Sequence, residues 1–175
     1  MPSQPTKDRI LDAYEHLLVN GGSRAATLDA VAAEAGVSKG GLLYHFGSKE
    51  QLRDGMLSRL KEQGDLDVER MKAAPEGAAW YFIRTSMDTN SDFDRAIVAA
   101  SSIAFESDKN ATAALEYLRT KWFGVLRDEL GDEALARTIA LLGHGIYFDA
   151  ITGLTDRDTL SDVSDVLQRL GIKID

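Results

Sequence analysis

Thr27 to Leu52 reads TLDAVAAEAGVSKGGLLYHFGSKEQL, and the reading of this stretch decides the fold. Thr27 can cap a helix, and Leu28, Val31, Ala32 and Ala35 follow it at helical spacing. Gly36 breaks the chain after two turns. Ser38 is a second cap and opens a short helix to about Phe46, where Gly47 stops it. Two short helices around the turn Gly36-Val37-Ser38 make a helix-turn-helix pattern. Gly36 permits the tight or left-handed backbone of a steep turn, and Val37 can plug the apolar corner. Ser48 with Gln51 three residues on is a capping box for the next helix.

The pattern stays helical in both directions. Ile10, Ala13, Tyr14, Leu17 and Leu18 form one apolar stripe, which Gly21-Gly22 ends. The helix from Ser48 reaches about Gln63, and Gly64 reads as a hinge before a short helix over 66–73. Longer segments follow over 77–89, 92–106, 111–130, 132–152 and 159–170. No repeat and no convincing strand interrupts them. The expectation is an all-α chain of about nine helices. It divides into a helix-turn-helix DNA-binding domain at 1–48, a connecting helix at 49–63, and a ligand-binding and dimerisation domain at 64–175.

Composition narrows the chemistry. The 175 residues include no cysteine, which excludes disulfides and thiolate metal sites. The polar start lacks a signal-peptide core, and no run reaches the roughly 18 apolar residues of a membrane span, so a cytoplasmic protein without membrane contact is expected. Net charge is −8, an unpromising total for a nucleic-acid binder. Its distribution matters more. Residues 1–63 hold eight basic and eight acidic side chains, so the whole excess lies in 64–175. A neutral head can bind phosphate if its cations share a face, with the acidic body repelled from DNA.

The second helix of the motif has the surface of a reading helix. Lys39, Gly40, Gly41, Tyr44 and His45 are basic, bare or hydrogen-bonding, whereas Leu42 and Phe46 read as core. Lys39 can reach a guanine edge or a phosphate, and Tyr44 and His45 can donate to phosphates. Lys49 stands in the first turn of its helix, where a cation opposes the dipole unless it faces an anion.

These residues resemble the TetR family of bacterial regulators. The resemblance covers residues 7–56: a leading amphipathic helix, Thr27-Leu28 with Val31-Ala32, Gly36-Val37-Ser38-Lys39-Gly40, Leu42 with Tyr44-His45-Phe46, and Ser48-Lys49 with Leu52. It implies that Thr27 touches a phosphate, that Ser38, Lys39, Gly40 and Gly41 form the base-reading end, and that Tyr44, His45 and Lys49 hold the DNA backbone. Two positions depart from the family pattern. Leu43 stands where a tyrosine is common and Gly41 where a threonine is common, so one phosphate hydrogen bond is either absent or supplied by Tyr44 alone, and a methyl or hydroxyl contact is removed. The resemblance also implies a homodimeric repressor on palindromic double-stranded operator DNA, released by a small-molecule effector.

The body supports the sensing half by its aromatics. Trp80, Phe93, Phe105, Trp122, His144, Tyr147 and Phe148 are candidate ligand-binding residues for an apolar or aromatic effector, though each can equally be core. Gly143 and Gly145 imply a close helix approach or room beside a ligand. Wide apolar faces on the last two long helices fit pairing with a second copy. No nucleophile–base constellation, metal-ligand spacing or phosphate loop is visible, so no catalytic residue, metal or cofactor is expected. The rival reading is an all-α ligand carrier or interaction protein without operator binding.

Overall fold

The computed structural model describes residues 5–156 and 158–173. Among them are nine helices and no strand: α1 (Thr6–Ala25), α2 (Leu28–Glu34), α3 (Lys39–His45), α4 (Lys49–Ala73), α5 (Ala78–Thr85), α6 (Asp92–Phe105), α7 (Lys109–Leu130), α8 (Glu133–Thr152) and α9 (Thr159–Arg169). None is long and apolar enough to cross a membrane.

The helices fall into two compact units. One comprises the chain up to Gln63 with Asp92–Glu116, and the other Gly64–Ser91 with the chain from Tyr117 onward. The first unit therefore takes in α6, which lies far down the sequence and packs along α1. Ile10, Tyr14, Leu18, Leu42, Leu52, Met56 and Leu60 are fully buried there. The helix-turn-helix is thus built against three longer helical stretches rather than standing alone.

Two glycines behave differently from their sequence reading. Gly64 does not break the helix: it lies buried inside the continuous α4, where the first unit gives way to the second. Leu52, Met56, Leu60, Gly64, Val68 and Met71 are buried at helical spacing along α4, so its periodicity runs through Gly64 without a break. Gly22 does interrupt α1, with φ 67° and ψ −172°, but helical structure resumes through Ala25.

The first unit also buries charge. Glu15 on α1 has a side chain only 1% exposed. Arg59 of α4 donates to its Oε1 at 2.6 Å and lies 2.8 Å from Asp12 Oδ1. Arg95 of α6 stands 3.5 Å from the other Glu15 oxygen. Two guanidinium groups thus tie three helices to one carboxylate.

The second unit packs Met71, Ala79, Ile83, Leu126, Ile139 and Leu167 into a separate core. α5 has no side-chain cap of its own, and the Glu129 carboxylate of α7 supplies one. It accepts from the N–H groups of Ala78 at 2.6 Å and Ala79 at 2.9 Å. Gly143 on α8 is required by close packing. A Cβ there would come within 2.3 Å of Cε1 of the Phe82 ring and 3.1 Å of Ser86 Oγ. Because Phe82 is buried, its ring cannot swing clear. Gly143→Ala is expected to destabilise this unit by about 1–3 kcal/mol through overpacking, less about 1 kcal/mol regained in helix propensity. A lowered urea midpoint would show it.

Candidate nucleic-acid interface

The turn that presents α3 is built by local hydrogen bonds. Gly36 has φ 64°, and its N–H donates to Ala33 O at 3.1 Å while the Val37 N–H donates to Ala32 O at 2.9 Å. This paired pattern closes α2 and needs a residue in the left-handed region. Arg9 of α1 then braces the turn, donating to the carbonyls of Ala35 at 2.5 Å and Gly36 at 3.3 Å. Sequence reading missed Arg9, because its partners are backbone carbonyls that no residue type advertises.

Both expected caps form. Thr27 Oγ1 accepts from the Ala30 N–H at 3.2 Å, and Ser38 Oγ accepts from the Gly41 N–H at 3.0 Å. Each hydroxyl proton is left available to an acceptor outside the helix. In the capping box of α4, Ser48 Oγ accepts from the Gln51 N–H at 3.2 Å, but the Gln51 side chain turns back to the Gly47 N–H at 2.9 Å.

α3 divides into two faces. Leu42 and the capping Phe46 are buried. Lys39, Gly40, Tyr44 and His45 are exposed, and Gly41 is half-buried beside Ser38. Tyr44 is 87% exposed and meets the His45 ring edge-on, with centroids 5.3 Å apart. An exposed aromatic pair on a polar face suits contact with a phosphate backbone. Lys39 Nζ is 3.0 Å from the Asp29 carboxylate, a surface pair that costs little to exchange for another anion. Lys49 is half-buried, and its ammonium donates to Ser23 O at 2.7 Å, which leaves two protons for a phosphate.

Lys49 also lines an open polar cleft of about 380 Å³, together with Arg53, Glu106 and Asp108. There Glu106 accepts a short hydrogen bond from Ser23 Oγ, and Arg53 donates to Asp108 Oδ2 at 2.9 Å. α6 ends in the same paired pattern as α2, with Ser107 at φ 72° taking the place of a glycine.

The candidate sensing residues are divided between the units. Phe93, half-buried, and Phe105, 90% exposed, belong to the first. Trp80, Trp122, His144, Tyr147 and Phe148 belong to the second. Phe148 is 59% exposed, while the other four are half-buried. Trp122 and His144 both flank Phe82, each with its ring centroid 5.8 Å away. The Asp67 carboxylate accepts from Trp122 Nε1 at 2.8 Å and from the Tyr81 hydroxyl at 2.9 Å.

Neither ring nitrogen of His144 has a hydrogen-bond partner among the described residues. Burial, aided by the charge of Arg119, holds its pKa below the ordinary 6.5. The folded value lies below the unfolded one, so the stability His144 contributes is present above pH 6.5 and lost as pH falls through the folded value. Unfolding followed from about pH 7.5 downward should show this acid loss, and His144→Leu should reduce it.

Comparison with known proteins agrees with this geometry. Residues 10–56 match the family described as bacterial regulatory proteins, tetR family. The HTH-type transcriptional regulator SrpR of Pseudomonas putida is 34% identical over 65 residues, which cover 37% of this chain and 30% of that protein. The uncharacterized HTH-type transcriptional regulator TtgW, also of Pseudomonas putida, is 34% identical over 65 residues, which cover 37% of this chain and 48% of that protein. The match thus spans less than half of either curated relative. Among solved structures, a putative TetR-family transcriptional regulator from Rhodococcus sp. is 17% identical, with a TM-score of 0.70 over 93% of this chain and 97% of that one. A putative regulator from Saccharomonospora viridis, in complex with choline, gives the same score and identity over 93% and 95%. The multidrug binding protein EbrR, complexed with imidazole, is 22% identical with a TM-score of 0.58 over 96% of each chain. The family model thus matches the helix-turn-helix head, residues 10–56, and the all-helical fold is shared along the chain with these solved structures.

Proposed function

We propose that the protein is a transcriptional repressor, not an enzyme, that binds a palindromic operator as a homodimer and is released by a small-molecule effector. The carrying observation is the exposed face of α3, where Lys39, Gly40, Tyr44 and His45 stand clear of the core behind a capped, braced turn. Ser38, Lys39, Gly40 and Gly41 form the base-reading end. Thr27, Tyr44, His45 and Lys49 hold phosphates and set the register.

The two heads of such a dimer enter major grooves one helical turn apart, about 34–36 Å. Support for pairing comes from the apolar side chains left exposed near the chain's end: Leu141, Phe148 and Ile151 on α8, and Val166 and Leu170 at α9. Gly145 lies on the same side of α8 as Leu141 and Phe148, and a Cβ there would meet nothing within 4 Å. Support for an apolar or aromatic effector comes from Phe82, Trp122 and the unpartnered His144 in the second unit. Proteins of similar fold hold small molecules, choline in one and imidazole in another, which supports a small-molecule effector here.

Fluorescence anisotropy with duplex DNA from beside the protein's own gene tests the reading. Binding should be sequence-selective, and log K should fall linearly with log salt concentration. Selectivity no better than for random duplex would overturn operator binding in favour of a carrier or interaction protein. Phe148→Glu should shift sedimentation toward monomer and weaken operator binding together. A wild-type protein that sediments as a monomer at micromolar concentration would refute the dimer.

A further inference from the structure

Leu43 is the one side chain on the outer part of α3 that neither joins the core nor carries a polar group. It is 38% exposed, while its neighbour Leu42 is fully buried. It stands four residues after Lys39, on the same face of the helix. A leucine there can make no hydrogen bond to a phosphate. We propose that Leu43 is a specificity-determining residue that reads the C5-methyl group of a thymine in the major groove. The inference rests on α3 being the groove-reading helix.

Groove chemistry supports the assignment. Of the four bases, only thymine presents an apolar group on its major-groove edge. Its neighbours on the edge are donors and acceptors, which a leucine would desolvate without replacing. Leu43 therefore favours thymine both by contact and by the cost of the alternatives. Gly40 makes the approach feasible. A Cβ at Gly40 would find no atom nearer than Ser38 Oγ at 3.9 Å, so that side of the helix is bare and its backbone can come close to the bases. Leucine then reaches a base edge without a longer side chain. Four residues span about 6 Å of helix, which is less than two base steps of about 3.4 Å. The thymine should lie within two base pairs of the base that Lys39 contacts.

The test begins by selecting tight-binding duplexes from a randomised pool with the full chain. Selected half-sites should share a thymine within two pairs of a guanine. Replacing that thymine with deoxyuridine removes the methyl alone and should weaken binding about fourfold per methyl. Leu43→Ala should bind thymine and deoxyuridine duplexes equally well. Leu43→Met, which keeps an apolar reach, should retain the preference for thymine and shows that the alanine result is not a folding defect. If no duplex is enriched, the operator-binding reading itself falls. If duplexes are enriched but deoxyuridine binds as well as thymine, the assignment of Leu43 is overturned alone. A methyl penalty that persists in Leu43→Ala overturns it too, because another residue then reads the group.

Discussion

Arg59→Met is expected to lower the stability of the first unit by about 3–5 kcal/mol, the cost of leaving a buried charge without its partner. Glu15 would be the orphan. Its side chain is 1% exposed, and Arg59 provides its 2.6 Å hydrogen bond. Arg95 cannot fully replace that bond, since it stands 3.5 Å away and its other contacts are to Asp12 and Asp92. Burial already pushes the Glu15 carboxyl up, by more than the hydrogen bond and charge of Arg59 and the charge of Arg95 pull it down. For Arg59, burial works against the charge, but its bonds and charges with Glu15 and Asp12 outweigh it and raise its pKa. The signs give a second expectation. A carboxyl whose folded pKa is raised contributes stability below its ordinary 4.5, and this is lost as pH rises through the folded value. The Arg59→Met deficit should therefore shrink on acidification, since a protonated Glu15 needs no cation. The double variant Glu15→Gln, Arg59→Met should recover much of the loss at about pH 7. Urea midpoints at about pH 5 and about pH 7.5 check both statements. A deficit that is equal at the two values, with no rescue by the double variant, would show that packing of the Arg59 stem matters more than its charge.

Lys39→Ala is expected to cost operator affinity about 1–3 kcal/mol per half-site, or roughly 5- to 150-fold. A dimer feels the change twice. The loss should be confined to operator sequence if Lys39 reads a base, and should be similar on all duplexes if it holds a phosphate. Asp29→Asn separates the ion pair from the DNA contact. Lys39 is held 3.0 Å from the Asp29 carboxylate in the free protein, and DNA binding must exchange that anion for another. Removing the competitor, and a negative charge near the DNA, should tighten binding several-fold at low salt and less at high salt. Anisotropy titrations on operator and random duplex at two salt concentrations distinguish these outcomes. Unchanged operator affinity in Lys39→Ala would remove Lys39 from the interface.

Much of the head was legible because its signals are local. Thr27 caps through Ala30, Ser38 through Gly41 and Ser48 through Gln51, each three residues away. Such bonds depend on adjacent residue types, which a sequence displays directly. The same holds for Gly36, whose left-handed φ follows from its place after two helical turns. Which aromatics are core and which are open to a ligand was less legible. Phe82 and Phe105 are both aromatics on helices, yet one is buried and the other 90% exposed. Periodicity marks an apolar face but does not say what covers it.

By itself, then, the sequence determined most of the helices and, in the head, the caps and the turn of the DNA-binding motif, since these are set within a few residues. Tertiary structure alone decided the rest. It placed α6 against α1, and it surrounded Glu15 with arginines from α4 and α6. It turned Gly64 from an apparent break into a buried position inside a continuous helix, and it left Leu43 open beside Lys39. A glycine, a glutamate or a leucine carries no mark of its neighbours in space. Burial and charge pairing between distant segments exist only once those segments meet.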